Sequence, residues 1–302
     1  VFAIPSTTTT QQSTCEGDHG HGSSSSGVVD LEALQSMLSG TYTIKDPSSD
    51  ERYLDPSSIV MVCITHIPTN TGIINPVNEI GSMINNYNRR ARGSSKLKNT
   101  TKLPHIMYIV DACQSVGQIQ VNVRDMQCHA LAATGRKYLR GPRGTGFLFV
   151  QKNVANMLQP SHIDHAAAPV VKMPSMSSSW MHGLEEETEF GLHHTYQPGA
   201  SRFEFWESNV SNRLGLGAAI DVSLNIGMDT IEKKCASLGK LLRQKVGMME
   251  GVHVYHDDSS SSGIVTFSEC CSSNIDSSRF FMHRTWGEKI ITCIIVILQY
   301  RR

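Results

Sequence analysis

Four short apolar runs do most to fix what this chain can fold into. They are Ile59 to Thr65, Ile106 to Val110, His129 to Ala133 and Phe147 to Val150, and the first three are almost continuously apolar rather than alternating. Strands that read this way are buried on both faces, so the runs imply an α/β fold with a mainly parallel sheet covered by helices. A helix from about Val77 to Arg90 joins the first two runs, with Ile80, Met83, Ile84 and Tyr87 on one side. A short helical link joins the second to the third. In such sheets functional groups gather just past the carboxyl ends of the strands. That rule directs attention to Asp111-Ala112-Cys113-Gln114-Ser115 and to Thr134-Gly135-Arg136-Lys137.

Around this centre the chain divides into three stretches. Residues 1–27 read as a strand remnant, VFAIP, followed by Ser/Thr/Gly/His-rich sequence from Ser6 to Ser26 that cannot bury a core and is expected to be a solvated loop. His19 and His21 stand in that stretch without further metal ligands. Residues 28–225 form the large domain. It begins with a helix capped by Asp30 and striped by Leu31, Leu34 and Leu38, and continues to a helical segment from Ser211 carrying Leu214, Leu216, Ala218, Ala219 and Val222. Residues 226–302 form a smaller α+β domain. A helix from near Asp229 displays Cys235, Leu238, Leu242 and Met249, and Val252–Tyr255 and Ile264–Phe267 read as paired strands.

Composition removes several classes of function. Lys plus Arg and Asp plus Glu both number 27, so no global field points to nucleic acid or to an acidic membrane. The basic run from Arg136 to Arg143 lacks the aromatic interleaving of a single-strand binder. Ile290 to Leu298 is about half the length of a membrane span. The eight cysteines show no CxxC spacing, and Cys63 and Cys113 lie in or beside strands, where reduced thiols are expected. A reducing compartment and a cytoplasmic protein are the expectation.

An acid and a lysine delivered by successive strands can hold opposite sides of one ring. Pyridoxal phosphate (PLP) needs that pair: a carboxylate on its pyridinium nitrogen and a lysine on its aldehyde. Taken alone, RKYLRGPRG reads as a solvated basic loop, and Asp111 as a turn cap. The ordered set Asp111, Gln114, Thr134, Lys137 and then Gly-Pro-x-Gly-x-Gly reverses that balance.

The segments THIPTNTGIINP, DACQSVGQ, ATGRKYLRGPRGTGFLFV and RFEFWESN resemble the class V aminotransferases of PLP-dependent transferase fold type I, a group that includes cysteine desulfurases and isopenicillin-epimerase-like proteins. The similarity runs from about Val28 to Phe267. It implies Lys137 as the catalytic Schiff-base lysine, Asp111 as the pyridinium partner, Gln114 as the contact to the phenolic oxygen, and Thr134 and Arg136 on the phosphate. Arg136 stands where many relatives carry histidine. Either Thr69 or Asn70 would meet the ring, and His66 would orient their turn. Ser208 or Glu207 would reach a partner's phosphate across a homodimer, with Phe203, Phe205 and Trp206 packing in the core or at that interface.

The resemblance implies an amino-acid or amine substrate and an aminotransferase as the default, with a carbon–sulfur lyase or epimerase as the alternative. A non-catalytic remnant of the fold is the reading from a different class. Relatives carry upstream a glycine-rich phosphate cradle and a ring that stacks on the cofactor, and neither stands between Val1 and Asp30. The expectation is that the chain starts midway through the large domain and binds its cofactor weakly. After Phe267 the sequence leaves the family pattern, and neither Arg279 nor Arg284 is marked as a substrate clamp.

Overall fold

Hydrogen-bonding capacity and apolar patterning together dictate one central sheet with smaller ribbons around it. The computed structural model describes residues 4, 6–8, 25–46, 49–93, 104–169, 195–255, 262–269 and 290–294. The chain opens with an antiparallel ribbon of β1 (Ser6–Thr8) and β2 (Ser25–Val29), then α1 (Leu31–Ser39) and a hairpin of β3 (Thr43–Asp46) and β4 (Ser49–Tyr53). Next come β5 (Met61–Thr65), α2 (Val77–Gly93), β6 (Met107–Asp111), α3 (Val123–Met126), β7 (Ala130–Thr134), β8 (Gly146–Val150) and α4 (Lys152–Ala155). The remainder is α5 (Val210–Ile226), α6 (Met228–Gly247), β9 (Val252–Val254), β10 (Ile264–Glu269) and β11 (Ile290–Ile294).

The central sheet has the order β5-β6-β7-β8, with the first three strands parallel and β8 antiparallel to β7. All four expected strands are present, shifted by one or two residues. The register sets Thr65 beside Asp111 and Asp111 beside Ala132, so the three parallel strands end side by side. A second sheet, antiparallel in the order β11-β10-β9, contains the expected pairing of Val252–Tyr255 with Ile264–Phe267.

The main core lies between the sheet and two helices. Val62, Ile64, Tyr108, Val110, Leu131 and Ala133 from β5, β6 and β7 meet Ile80 and Ile84 of α2 and Leu34 and Leu38 of α1. Each fully buried aliphatic side chain there contributes about 1.5–3 kcal/mol. Asp30 caps α1 as expected, its Oδ1 accepting from the Glu32 and Ala33 N–H groups at 2.9 and 3.0 Å. A glycine in the left-handed region, Gly40, closes the same helix.

Five expectations are corrected. β5 is not buried on both faces: Val62 and Ile64 are buried because they pack in the core with α1 and α2, whereas Met61 and Cys63 are exposed. The face of α1 that is buried comprises Leu34, Met37 and Leu38, with Leu31 only half-buried, because Met37 completes the i, i+3, i+4 stripe. Val28 and Val29 belong to β2 rather than to the helix, since Val29 donates its N–H to Asn75 Oδ1. The expected loop from Ser6 to Ser26 is paired at both ends as β1 and β2, while residues 9–24, including His19 and His21, lie outside the described residues. On α5, Leu214 and Val222 are exposed; the helix buries Leu216 and Ser223 instead, because it rests on the loop after β7 through Leu216. Cys270, Cys271, Arg279 and Arg284 lie outside the described residues. No helix among the described residues is long and apolar enough to cross a membrane.

Candidate active site

Past β5, β6 and β7 the backbone ladder continues for one more residue before the chains diverge: His66 N–H donates to Asp111 O at 2.9 Å, and Ala112 N–H to Ala132 O at 2.8 Å. Three loops therefore leave the sheet side by side, carrying Thr69, Asp111 with Gln114, and Lys137.

Asp111 ends its strand because its Oδ1 accepts the Cys113 N–H at 2.9 Å, turning the chain. The carboxylate itself is exposed at the strand end. The Cys113 side chain between these groups is half-buried. Burial first, and then the Asp111 carboxylate, push that thiol above its ordinary pKa, which keeps it protonated near neutral pH. Asp111 and the lysine loop leave adjacent strands, since β6 pairs with β7 and Asp111 stands beside Ala132.

Gln114 is buried, and its Nε2 donates to Thr69 Oγ1 at 2.7 Å. Of the two turn residues, Thr69 faces Gln114, while the carbonyl of Asn70 accepts from Thr266 Oγ1 at 2.9 Å. The Gln114 Oε1 is buried without a hydrogen-bond partner. A buried amide oxygen left in this state costs about 1–3 kcal/mol unless something fills its place.

Lys137 is half-buried and its carbonyl accepts from the Arg140 N–H at 2.8 Å, while Gly135 N–H donates to Thr145 O at 2.8 Å. Thr134 Oγ1 reaches the same Thr145 carbonyl at 3.4 Å, and Arg136 is exposed. The approach of the Gln114 loop to the lysine loop depends on Gly117. Its φ is 85°, and a Cβ there would lie 2.6 Å from both Leu139 N and Tyr138 C. Only glycine permits that contact.

His66 is buried, and burial pushes its pKa down to about 4, so it is neutral at pH 7. It orients the Thr69 turn through its backbone, its carbonyl accepting the Asn75 N–H at 2.9 Å. Its ring lines a separate cavity of about 460 Å³ with Asn75, Glu79, Gln120 and Asp125. Ser208 and Glu207 are exposed just before α5, and the Ser208 hydroxyl accepts from Arg213 at 3.2 Å. Their segment approaches the lysine loop through Asn212, whose Nδ2 donates to Arg143 O at 3.1 Å. The described contacts join Ser208 to α5 rather than to the strand ends. Phe203 packs against Val150 and Val154, whereas Phe205 and Trp206 are exposed.

Sequence reasoning missed Gly117, and it missed Gln118, which is wholly buried beside Gln114. Both stand inside the DACQSVGQ segment, and a glycine three residues after a candidate ligand is itself a signal of close backbone approach.

The family model for class-V aminotransferases matches residues 94–280, which include Asp111, Gln114, Thr134 and Lys137. The chain belongs to the class-V aminotransferase family. A probable cysteine desulfurase of Methanothermobacter thermautotrophicus is 27% identical over 239 residues, 79% of this chain and 50% of the relative. The apo structure of a cysteine desulfurase from Thermococcus onnurineus NA1 superposes with a TM-score of 0.57 at 21% identity, covering 80% of this chain and 48% of the other. A variant of the protein C-DES with glycine covalently linked to its PLP cofactor gives 0.53 at 20% identity, covering 70% and 47%. The two structures establish the shared fold, PLP-dependent transferase fold type I. The chain spans about half the length of the relatives it matches.

Membership of the class-V family implies pyridoxal phosphate as the cofactor. The residues present fit it: Gln114 carries a buried amide oxygen without a hydrogen-bond partner, and the loops of adjacent strands bring a carboxylate, Asp111, and a half-buried lysine, Lys137, to the same end of the sheet.

Proposed function

We propose that this class-V chain supplies the strand-end side of a PLP site acting on an amino-acid substrate. The observation that carries the reading is the close approach, at Gly117, of the loop that follows Asp111 and carries Gln114 to the loop that carries Lys137, with Gln114 bonded to Thr69. Bound PLP supplies an aldehyde for amine capture and a ring that withdraws electrons. Asp111 would hold the ring nitrogen and keep a proton on it. Thr69 accepts from Gln114, so its own hydroxyl proton is available to the phenolic oxygen. Thr134 and the exposed guanidinium of Arg136 bind phosphate, the latter as a charge-assisted donor. Lys137 would hold the cofactor's aldehyde and would serve as the base that takes and returns the proton at the substrate α-carbon. Ser208, or Glu207 beside it, serves the second site of a homodimer, and the protein works in the cytoplasm.

Two reactions diverge once the α-proton has left. Transamination, in which water frees a keto acid while the amino group passes by way of the cofactor to a second keto acid, would need no protein nucleophile besides Lys137 and is the first reading. Carbon–sulfur cleavage is the second, and the names of the desulfurase relatives favour it. The protonated state of Cys113 speaks against that thiol as the sulfur acceptor.

The test is a preparation with added PLP, treated with borohydride and mapped by mass spectrometry. We expect a reduced adduct on Lys137, absent from Lys137→Ala. Label on a different lysine, or none at saturating PLP, removes the reading. An amino-acid panel scored for keto acid and for sulfide then separates the two reactions.

A further inference from the structure

We propose that Gln118 is a positioning residue that fastens the Thr69–Gln114 side of the site to the carboxy-terminal strand β10. The inference rests on the PLP reading for what the site holds, while the fastening is a property of the apoprotein. Gln118 is completely buried, and both ends of its amide are committed. Its Nε2 donates to Gln114 O at 2.8 Å, and its Oε1 accepts from Gly263 N–H at 2.6 Å, across 145 residues of sequence. Gln114 in turn donates to Thr69. The Thr69 turn is held by the same strand, because Ser262 N–H donates to Gly72 O at 3.0 Å and Thr266 Oγ1 to Asn70 O at 2.9 Å. These bonds close a circuit: Thr69, Gln114, Gln118, Gly263, β10, Thr266 and back to the turn.

The circuit lies against an apolar cluster in which each loop of the site contributes one residue, Ile67, Ile119 and Tyr138, packed against Ile231 and Cys235 of α6 and Ile264 of β10. Apolar contacts alone allow sliding, whereas a fully satisfied buried amide fixes one arrangement. Gly263 is matched to the role: a Cβ there would stand 3.1 Å from Gln118 Oε1 and 3.6 Å from the Tyr138 hydroxyl. Any ligand that orders Thr69 and Gln114 therefore also steadies Gly263, and the coupling is reciprocal.

Gln118→Met keeps the side-chain length and removes both polar ends. We expect about tenfold weaker PLP binding, the equivalent of one lost buried hydrogen bond. PLP should slow amide exchange of the peptide 262–269 in the wild type and have no such effect in the variant. Ile231→Val, from the same cluster, should lower the melting temperature without changing PLP affinity. Wild-type affinity in Gln118→Met overturns the proposal, as does an equal loss of affinity in Ile231→Val. If Gln118→Met does not fold, Gly263→Ala tests the far end, and unchanged PLP affinity there is equally fatal. If the wild type binds no PLP, the cofactor reading fails on its own. Exchange at Gly263 in the two apoproteins still decides the fastening, and equal rates refute it.

Discussion

Single residues at the strand ends carry unequal weight, and backbone geometry shows why. Gly117 has φ of 85° and no room for a Cβ against Tyr138 and Leu139. Gly117→Ala should therefore cost about 1–3 kcal/mol and displace the lysine loop; urea unfolding and borohydride trapping would both register it. His66 gives a pH signature. Its folded pKa of about 4 lies below the ordinary histidine value of 6.5, so the unfolded chain binds the proton more readily. Its contribution is complete above pH 6.5 and is lost as pH falls towards 4, by up to about 3 kcal/mol. Urea midpoints across that range should fall more steeply for the wild type than for His66→Asn, and parallel curves would remove His66 as the cause. The positions of Asp111 and Lys137 at and just past the ends of adjacent strands were legible in the sequence, because the apolar runs before them mark where β6 and β7 stop. Thr69 and Asn70 were not separable, since adjacent turn residues point different ways and only the bond to Gln114 distinguishes them.

At the scale of elements, helices with one clear buried stripe were legible and those resting on a single contact were not. α2 shows its expected face, with Ile80 and Ile84 almost fully enclosed. α5 reads as amphipathic in sequence, but it leans on the loop after β7 through Leu216, whose methyl group would lie 2.7 Å from a Cβ at Gly135. Val210, Leu214, Val222 and Leu224 remain exposed at 53–71%. Hydrophobicity patterns report a capacity for burial, whereas the partner that realises it can be remote in sequence. The cap of α1 gives a test within one element. Asp30→Ala removes the acceptor for two N–H groups and should lower stability by about 1 kcal/mol. Asp30→Asn should restore most of that loss in thermal unfolding.

Across the whole molecule, the apolar cluster of Ile67, Ile119, Tyr138, Ile231, Cys235 and Ile264 ties residues of three site loops to elements far along the chain. Ile264→Ala should cost about 2–5 kcal/mol through the cavity it leaves. It should also weaken PLP binding because Ile264, unlike Ile231, packs directly against Gly72 of the Thr69 turn, and calorimetry in parallel with a PLP titration would show both effects. The sequence carried the class of the sheet and its strand order of succession, but long-range ties such as Gln118 to Gly263 leave no local pattern to detect. The antiparallel course of β8 has its own effect on the loop between it and β7. Both feet of that loop stand at the same end of the sheet, with Gly135 and Thr134 bonded to Thr145 and Gly146 paired to Thr134. Gly144, at its outer bend, has open space around it. Extra residues inserted there would bulge harmlessly into water, whereas a single one slipped between Gly135 and Lys137 would swing the amine off its target.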